Sequence, residues 1–198
     1  MPTPLALQII RHEHEALASV LRTLQLLVRD SRHHNREPDF RVLRAMMFYV
    51  DEFPERLHHV KETTMLFPRL REITHEANDV LDALDRDHGR GESLIRELQH
   101  KLTAWELLGE TRRTAFETAL TRYLEFYLRH MRTEETEVLP LAERVFGEDD
   151  WRVLDRAFLA QRDPLAGGRA DAPYEQLFAT ILRITPAPFG LGDPIEKA

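Results

Sequence analysis

Residues 58–68 read HHVKETTMLFP, inside a segment whose apolar residues recur at alternating steps of three and four. That spacing marks one face of an α-helix turned toward a core. Leu43, Met47, Val50 and Pro54 set the face, and the next steps along it fall on His58, Glu62 and Met65. A helix buried on this side therefore carries an imidazole and a carboxylate inward. Such groups are costly to bury unless they are paired, so the core itself must use them.

Three other segments carry the same pattern. Their stripes read Leu7, Ile10, His14, Leu17, Leu21, Leu24, Val28; then Leu81, Leu84, His88, Gly91, Ile95, Leu98; then Phe116, Leu120, Tyr123, Tyr127, His130, Glu134. Each is apolar until it reaches a histidine. Glu62 follows His58 by four residues and Glu134 follows His130 by four, which stacks each carboxylate beside its imidazole. HHVKETTMLFP at 58 and HMRTEETEVLP at 130 further share Thr six on and Pro ten on, while EH at 13–14 and DH at 87–88 form a second pair. The chain reads as two similar helical hairpins.

Helices are expected over about 5–30, 38–72, 77–108 and 111–146, broken at SRHHNREPD, ITHEAND and LLGETRR. The alternation of β-strands is missing. Connections this short make neighbouring helices antiparallel. The expected fold is all-α: an up-down-up-down antiparallel four-helix bundle over 1–147, with 148–198 as a C-terminal helical extension and tail packed on it. That extension should hold a helix over 149–160, a loop at RDPLAGGRADAP, a short helix over 173–184 and an extended Pro- and Gly-rich tail. Trp151, Val153, Leu154 and Phe158 give its first helix an apolar face, suited to packing on the bundle or to a homodimer contact.

At about 1.5 Å per helical residue, His14 lies about 24 Å before the first break and His58 about 30 Å after it. His88 and His130 each sit about 20 residues from the third break. All four therefore occupy one level of the bundle. A metal accounts for the whole group, because it supplies the positive charge that Glu62 and Glu134 need in a core. Imidazole and carboxylate donors without sulfur suit iron, manganese or zinc. Six donors exceed the four-coordinate set of a structural zinc, which argues for two ions. His12 should face solvent, His33, His34 and His75 lie in loops, and His100 is off its stripe. His59 is expected to flank the site, with a role as a spare ligand the other possibility. Tyr123 and Tyr127 fit core aromatics, within reach of donating protons near His130.

The bulk numbers bound the rest. A chain of 198 residues, 42% hydrophobic and 31% charged, can bury a full core as a soluble globular domain. Its net charge of −7 leaves no basic footprint for nucleic acid. No apolar run suits a membrane span, and MPTPLALQII is a poor signal peptide. With no cysteine, disulfides and thiolate metal sites are excluded. A cytoplasmic protein is the expectation.

The segments HEHEAL, HHVKETTMLFPRL, DHGRGESL and HMRTEETEVLPLAERV, spread over about residues 5–146, resemble the motifs of the hemerythrin-like HHE cation-binding domain. The resemblance implies a non-haem di-iron centre, oxo- or hydroxo-bridged, in a four-helix bundle. Carried over by position, His14 and His58 would serve one iron, His88 and His130 the other, and Glu62 and Glu134 would bridge. It implies binding or sensing of a small ligand such as oxygen or nitric oxide. The alternatives are a di-iron enzyme acting on peroxide or nitric oxide, or an iron storage or delivery protein. Two departures stand out. The oxygen-carrying pattern has a further histidine one turn from another on the third helix, whereas here the positions one turn either side of His88 are Leu84 and Glu92. The last motif pairs His130 with Glu134 instead of an aspartate five residues on. An open coordination position, or Glu92 as substitute ligand, follows.

Overall fold

The computed structural model describes residues 3–167 and, beyond them, 177, 179, 181, 183 and 184. Helix α1 spans Leu5–His33, with Pro4 at its start and Asn35 in the left-handed region just past its end. Helix α2 covers 40–73, opened by the Asp39 carboxylate accepting from the Arg41 N–H. Helix α3 spans Asn78–Leu108 and stops at Gly109, whose φ of 83° favours glycine. Helix α4 covers 113–145 and begins after a 3₁₀ turn at Glu110–Arg112. Helix α5 spans Glu148–Ala160, where the Asp150 carboxylate accepts from the Gly147 N–H. Strands are absent among the described residues. Of the expected short helix over 173–184, residues 177, 179, 181, 183 and 184 are helical; its other members and the tail lie outside the described residues.

Two of these helices are not α-helical throughout. Turns of π-helix occupy Asp51–His58 and Glu62–Leu66 in α2, and Glu134–Val138 in α4. In each, an N–H reaches back five residues: His59 to the Pro54 carbonyl, Phe67 to Glu62, Leu139 to Glu134. The last two turns start on a glutamate of the repeated motif and run up to Pro68 and Pro140. Proline has no N–H for the carbonyl four residues back, and its ring crowds that carbonyl, so the preceding turn widens. The shared Pro ten residues after each histidine thus has a structural consequence, the same one twice.

The long helices contact one another in the cyclic order α1–α2–α3–α4–α1, and α5 lies along α1. Their apolar side chains form two clusters. One gathers Leu17, Leu21, Met47, Val50, Ile95, Leu98, Leu120 and Tyr123. The other gathers Leu7, Ile10, Leu66, Phe67, Leu81, Leu84, Val138, Leu139 and Phe158. On every helix the inward histidine falls between members of the two: His14 between Ile10 and Leu17, His88 between Leu84 and Ile95. The interior is therefore a polar layer between two hydrocarbon blocks. Buried Arg113 ties α4 to α1 beyond this layer, donating to the Val28 carbonyl and the Ser31 hydroxyl, each at 2.7 Å.

Gly91 on α3 leaves the space that the layer needs. A Cβ there would overlap the Tyr127 hydroxyl and stand 2.9 Å from Glu55 Oε1, whereas one at Gly89 would meet nothing within 4 Å. Gly91→Ala should cost about 1–3 kcal/mol through overpacking. Gly89→Ala should gain up to about 1 kcal/mol of helix propensity. Urea denaturation of the two variants tests this, and equal effects would contradict the packing described.

Candidate metal centre

The six sequence-expected donors meet in the polar layer. His14 comes from α1, His58 and Glu62 from α2, His88 from α3, and His130 and Glu134 from α4. Glu62 and Glu134 are 0% exposed. His14 Nε2 is 3.2 Å from His58 Nε2 and 3.2 Å from Glu134 Oε2. Glu62 reaches His58 Nε2 with Oε1 at 3.2 Å and His88 Nε2 with Oε2 at 3.5 Å. Glu134 Oε1 lies 3.2 Å from His130 Nε2 and 3.7 Å from His88 Nε2. Each carboxylate thus spans the gap between two pairs of imidazoles.

The outward nitrogen of nearly every ring is held by a partner. His14 Nδ1 donates to Glu135 at 2.8 Å, and His58 Nδ1 to Glu13 at 2.7 Å. His88 Nδ1 is 2.7 Å from the Thr63 hydroxyl. Only His130 differs, with Asp87 at 3.9 Å and too far for a direct bond. Holding Nδ1 fixes the tautomer and ring orientation, and leaves Nε2 aimed inward as an electron-pair donor.

Most of the inward atoms, in contrast, lack hydrogen-bond partners. Both oxygens of Glu62 and of Glu134, His88 Nε2 and His130 Nε2 are buried without one, as is the outward Nδ1 of His130. Orphaned buried polar groups of this number call for an explanation. Burial would lower the His58 pKa, but the charge of Glu62 and the hydrogen bond to Glu13 raise it to about 10. His130 likewise rises to about 10, against burial, through Glu134 and Asp87. Burial and mutual repulsion push the Glu62 carboxyl up, yet the neighbouring imidazoles hold it below the ordinary value. The two acids are stable here only beside positive charge. Protons on the imidazoles provide it in one state; a cation would provide it without occupying the inward lone pairs with hydrogen.

His59 departs from expectation. Rather than flanking the site, it is 4% exposed and sits in the layer. Its ring stacks on His88, centroids 4.3 Å apart at 12°, and stands edge-on to His130. The helix-wheel reading assumed a regular α-helix, and the π turn at Asp51–His58 breaks that phase. Pro54 inside the segment was the available signal. Glu92 also departs: its side chain is 53% exposed and paired with Arg96 at 2.7 Å, far from the role of substitute ligand. His12, His33, His34, His75 and His100 are exposed, as expected.

Three buried acids were not singled out as site residues. Glu13 grips His58 with Oε2 and accepts the Asp163 backbone N–H on Oε1 at 2.8 Å. Glu55 accepts from His59 Nδ1 at 3.2 Å and from the hydroxyls of Tyr123 and Tyr127. Asp163, just past α5, accepts from the Tyr49 hydroxyl. Lys61 completes this side, donating to the Gln161 carbonyl at 2.8 Å and lying 3.7 Å from Glu13.

Donor atoms fall into two sets, each within 4.8 Å of one another: His14, His58, Glu62 and Glu134; and His59, Glu62, His88 and His130. Glu62 belongs to both. The family model for the hemerythrin HHE cation binding domain matches residues 5–142. The chain belongs to this family. No curated protein and no solved structure matches it. In this hemerythrin-like cation-binding domain the two His/Glu sets are the places where metal could be held. The donor chemistry fits, since oxygen and imidazole ligands without sulfur are those of iron, manganese or zinc. No helix among the described residues is long and apolar enough to cross a membrane.

Asp163 yields a pH prediction away from the inward donors. Burial pushes its pKa up to about 6, from an ordinary 3.8, although Tyr49 and the Leu165 N–H oppose the shift. The folded state then holds a proton that the unfolded state has released, so stability falls as pH rises from about 4 to about 6 and levels above that. Asp163→Asn should remove this decline, which amounts to at most about 3 kcal/mol. Denaturation of both proteins across this range checks the difference. A wild-type-minus-variant gap independent of pH would refute it.

Proposed function

We propose that this chain is a non-haem di-iron protein that binds or senses a small ligand such as oxygen or nitric oxide. The observation that carries the reading is the set of orphaned, inward-facing nitrogens and oxygens in a buried layer between two apolar clusters. His14 and His58 would hold one ion, His88 and His130 the other, with Glu62 and Glu134 bridging. The helix order and short connections support an up-down-up-down arrangement, with 1–147 as the metal-holding unit. Burial of Leu154 and Phe158 supports 148–198 as an extension packed on that unit.

Iron, when bound, would supply reversible one-electron chemistry and a coordination position for a small ligand; manganese and zinc satisfy the donors but suit that role less. The protein's part is to orient and to exclude water. Glu135, Glu13 and Thr63 hold the rings of His14, His58 and His88. The apolar clusters close both ends, so a small neutral molecule is favoured over a charged substrate. Only two carboxylates face inward among the six donors, which favours ligand binding over the oxidative chemistry of carboxylate-rich sites. An enzyme acting on peroxide or nitric oxide is the second reading, favoured by Tyr123 and Tyr127 with hydroxyls on Glu55 beside the layer. Burial, with Glu55 beside it, pushes Tyr127 well above its ordinary pKa and keeps the phenol protonated.

Protein loaded anaerobically with ferrous iron should retain about two ions per chain by elemental analysis. Exposure to oxygen or nitric oxide should change its near-ultraviolet and visible absorption. Glu62→Ala should abolish loading of both ions while circular dichroism keeps the helical signal. Full loading of that variant would remove Glu62 from the site. Sustained turnover of peroxide would favour the enzyme reading.

A further inference from the structure

We infer that the turn after α5 is a latch on the metal centre: the Asp163 N–H, acting through Glu13, positions the His58 ring and so retains the cation that His14 and His58 would hold. The inference rests on the metal centre proposed above and adds a control over one of its two ions.

The rings of His14, His58 and His88 are not fastened alike. His14 bonds to Glu135, whose side chain is 40% exposed, and His88 to exposed Thr63; both partners belong to long helices of the bundle. Glu13, which grips His58, is different. Its side chain is 3% exposed, and its second oxygen accepts the N–H of a residue 150 positions along the chain, beyond the bundle. With Oε2 on His58 at 2.7 Å and Oε1 on the Asp163 N–H at 2.8 Å, the carboxylate is held at both ends. Loss of that N–H would leave a buried carboxylate oxygen short of its donor, which is costly. Turning to find another donor takes Oε2 off His58.

The turn is itself anchored where Glu13 needs it. Lys61, one turn after His58 on α2, donates to the Gln161 carbonyl at 2.8 Å and places its ammonium 4.4 Å from the Phe158 ring centroid. Phe158 is fully buried and meets the His58 ring edge-on, centroids 6.3 Å apart at 76°. The Asp163 carboxylate accepts from the Leu165 N–H at 2.7 Å and from the Tyr49 hydroxyl on α2. Farther back, α5 is pinned by Asp155, which accepts the Ala6 N–H at 2.7 Å, and by Asp150, which accepts from Arg69 at 2.7 Å. The extension thus ties α1 to α2 beside a single histidine of the layer. The two ions are then unequally held: the bundle alone retains one, and the bundle with its extension retains the other. Lifting α5 from α1 would free the ion on the His14–His58 side first.

The decisive bond can be removed by itself. Asp163 has a φ of −61°, the value that a proline ring imposes, so Asp163→Pro deletes the N–H without forcing that angle. Asp163→Ala deletes the same side chain and keeps the N–H. Cobalt(II) is the probe, loaded on the full chain, and its release to a chelator is followed by visible absorption. Wild type should hold two ions. Relative to Asp163→Ala, Asp163→Pro should release one ion roughly 10-fold faster, the low end for loss of a partner that orients a ligand, and the other at the same rate. Lys61→Met keeps an apolar stem on Phe158 but leaves the Gln161 carbonyl without its donor. It should speed the same ion, and it carries the test if the proline variant loses its helical circular dichroism. In the metal-free chain, proton NMR should show the His58 Nδ1–H exchanging with water faster in Asp163→Pro than in Asp163→Ala. Equal release or equal exchange in those two variants, both ions speeded alike, or wild-type release from Lys61→Met would overturn the latch while the metal centre stands. Fewer than two cobalt ions on wild type would overturn both.

Discussion

Glu62 and Glu134 are two carboxylates with no exposure, facing each other in a layer closed above and below by hydrocarbon. Each raises the cost of ionising the other, and burial raises it further. Positive charge must therefore be delivered to this point, and most of the surrounding structure can be read as the means. Histidines arrive from all four long helices at one level. Their rings are turned so that one nitrogen faces the carboxylates, and in His14, His58 and His88 the other meets a fixed acceptor or hydroxyl. Without those inward imidazoles, the acids would have to be protonated, or the layer would have to admit water.

The same constraint reaches the periphery. Glu13 divides its oxygens between His58 and the Asp163 backbone, so the turn after α5 is coupled to the His58 ring in the layer. Lys61 is buried against that turn and against Phe158, with its ammonium 4.4 Å from the ring centroid. On the opposite side, Glu55 joins His59 to two tyrosines of α4. Both flanks of the layer are thus polar networks with defined partners, and each ends in apolar packing. A network satisfied in this way specifies one arrangement of the helices, whereas hydrocarbon alone tolerates slippage along the bundle axis.

Departure from regular helix is part of the design. The π turns beginning at Glu62 and Glu134 sit in the two copies of the repeated motif, each ahead of a proline. A wider turn alters which side chains share a face, and it does so where the inward histidines and glutamates come together. The third such turn, at Asp51–His58, brings both His58 and His59 inward. Two adjacent inward histidines are incompatible with a single narrow α-helical stripe, and they become possible where the helix occupies a corner and its phase is shifted.

The steps of three and four residues were enough to place His14, His58, Glu62, His88, His130 and Glu134 on inward faces, because a helix repeats its geometry along its length. Helix ends were legible from the polar runs between segments, LLGETRR with its Gly109 among them. What lay beyond the sequence depended on contacts that no local pattern records. Asp163 meets Glu13 across 150 positions of chain. Glu55 finds its tyrosines on a helix 68 and 72 residues away, and only because Gly91 on a third helix makes room. His59 escapes the pattern because the periodicity that locates its neighbours fails where proline widens the turn. By itself the sequence determined the all-helical fold and the inward face of each rod. Tertiary structure alone decided which acids grip which rings, since side-chain partners are chosen by distance in the folded chain and not by spacing along it.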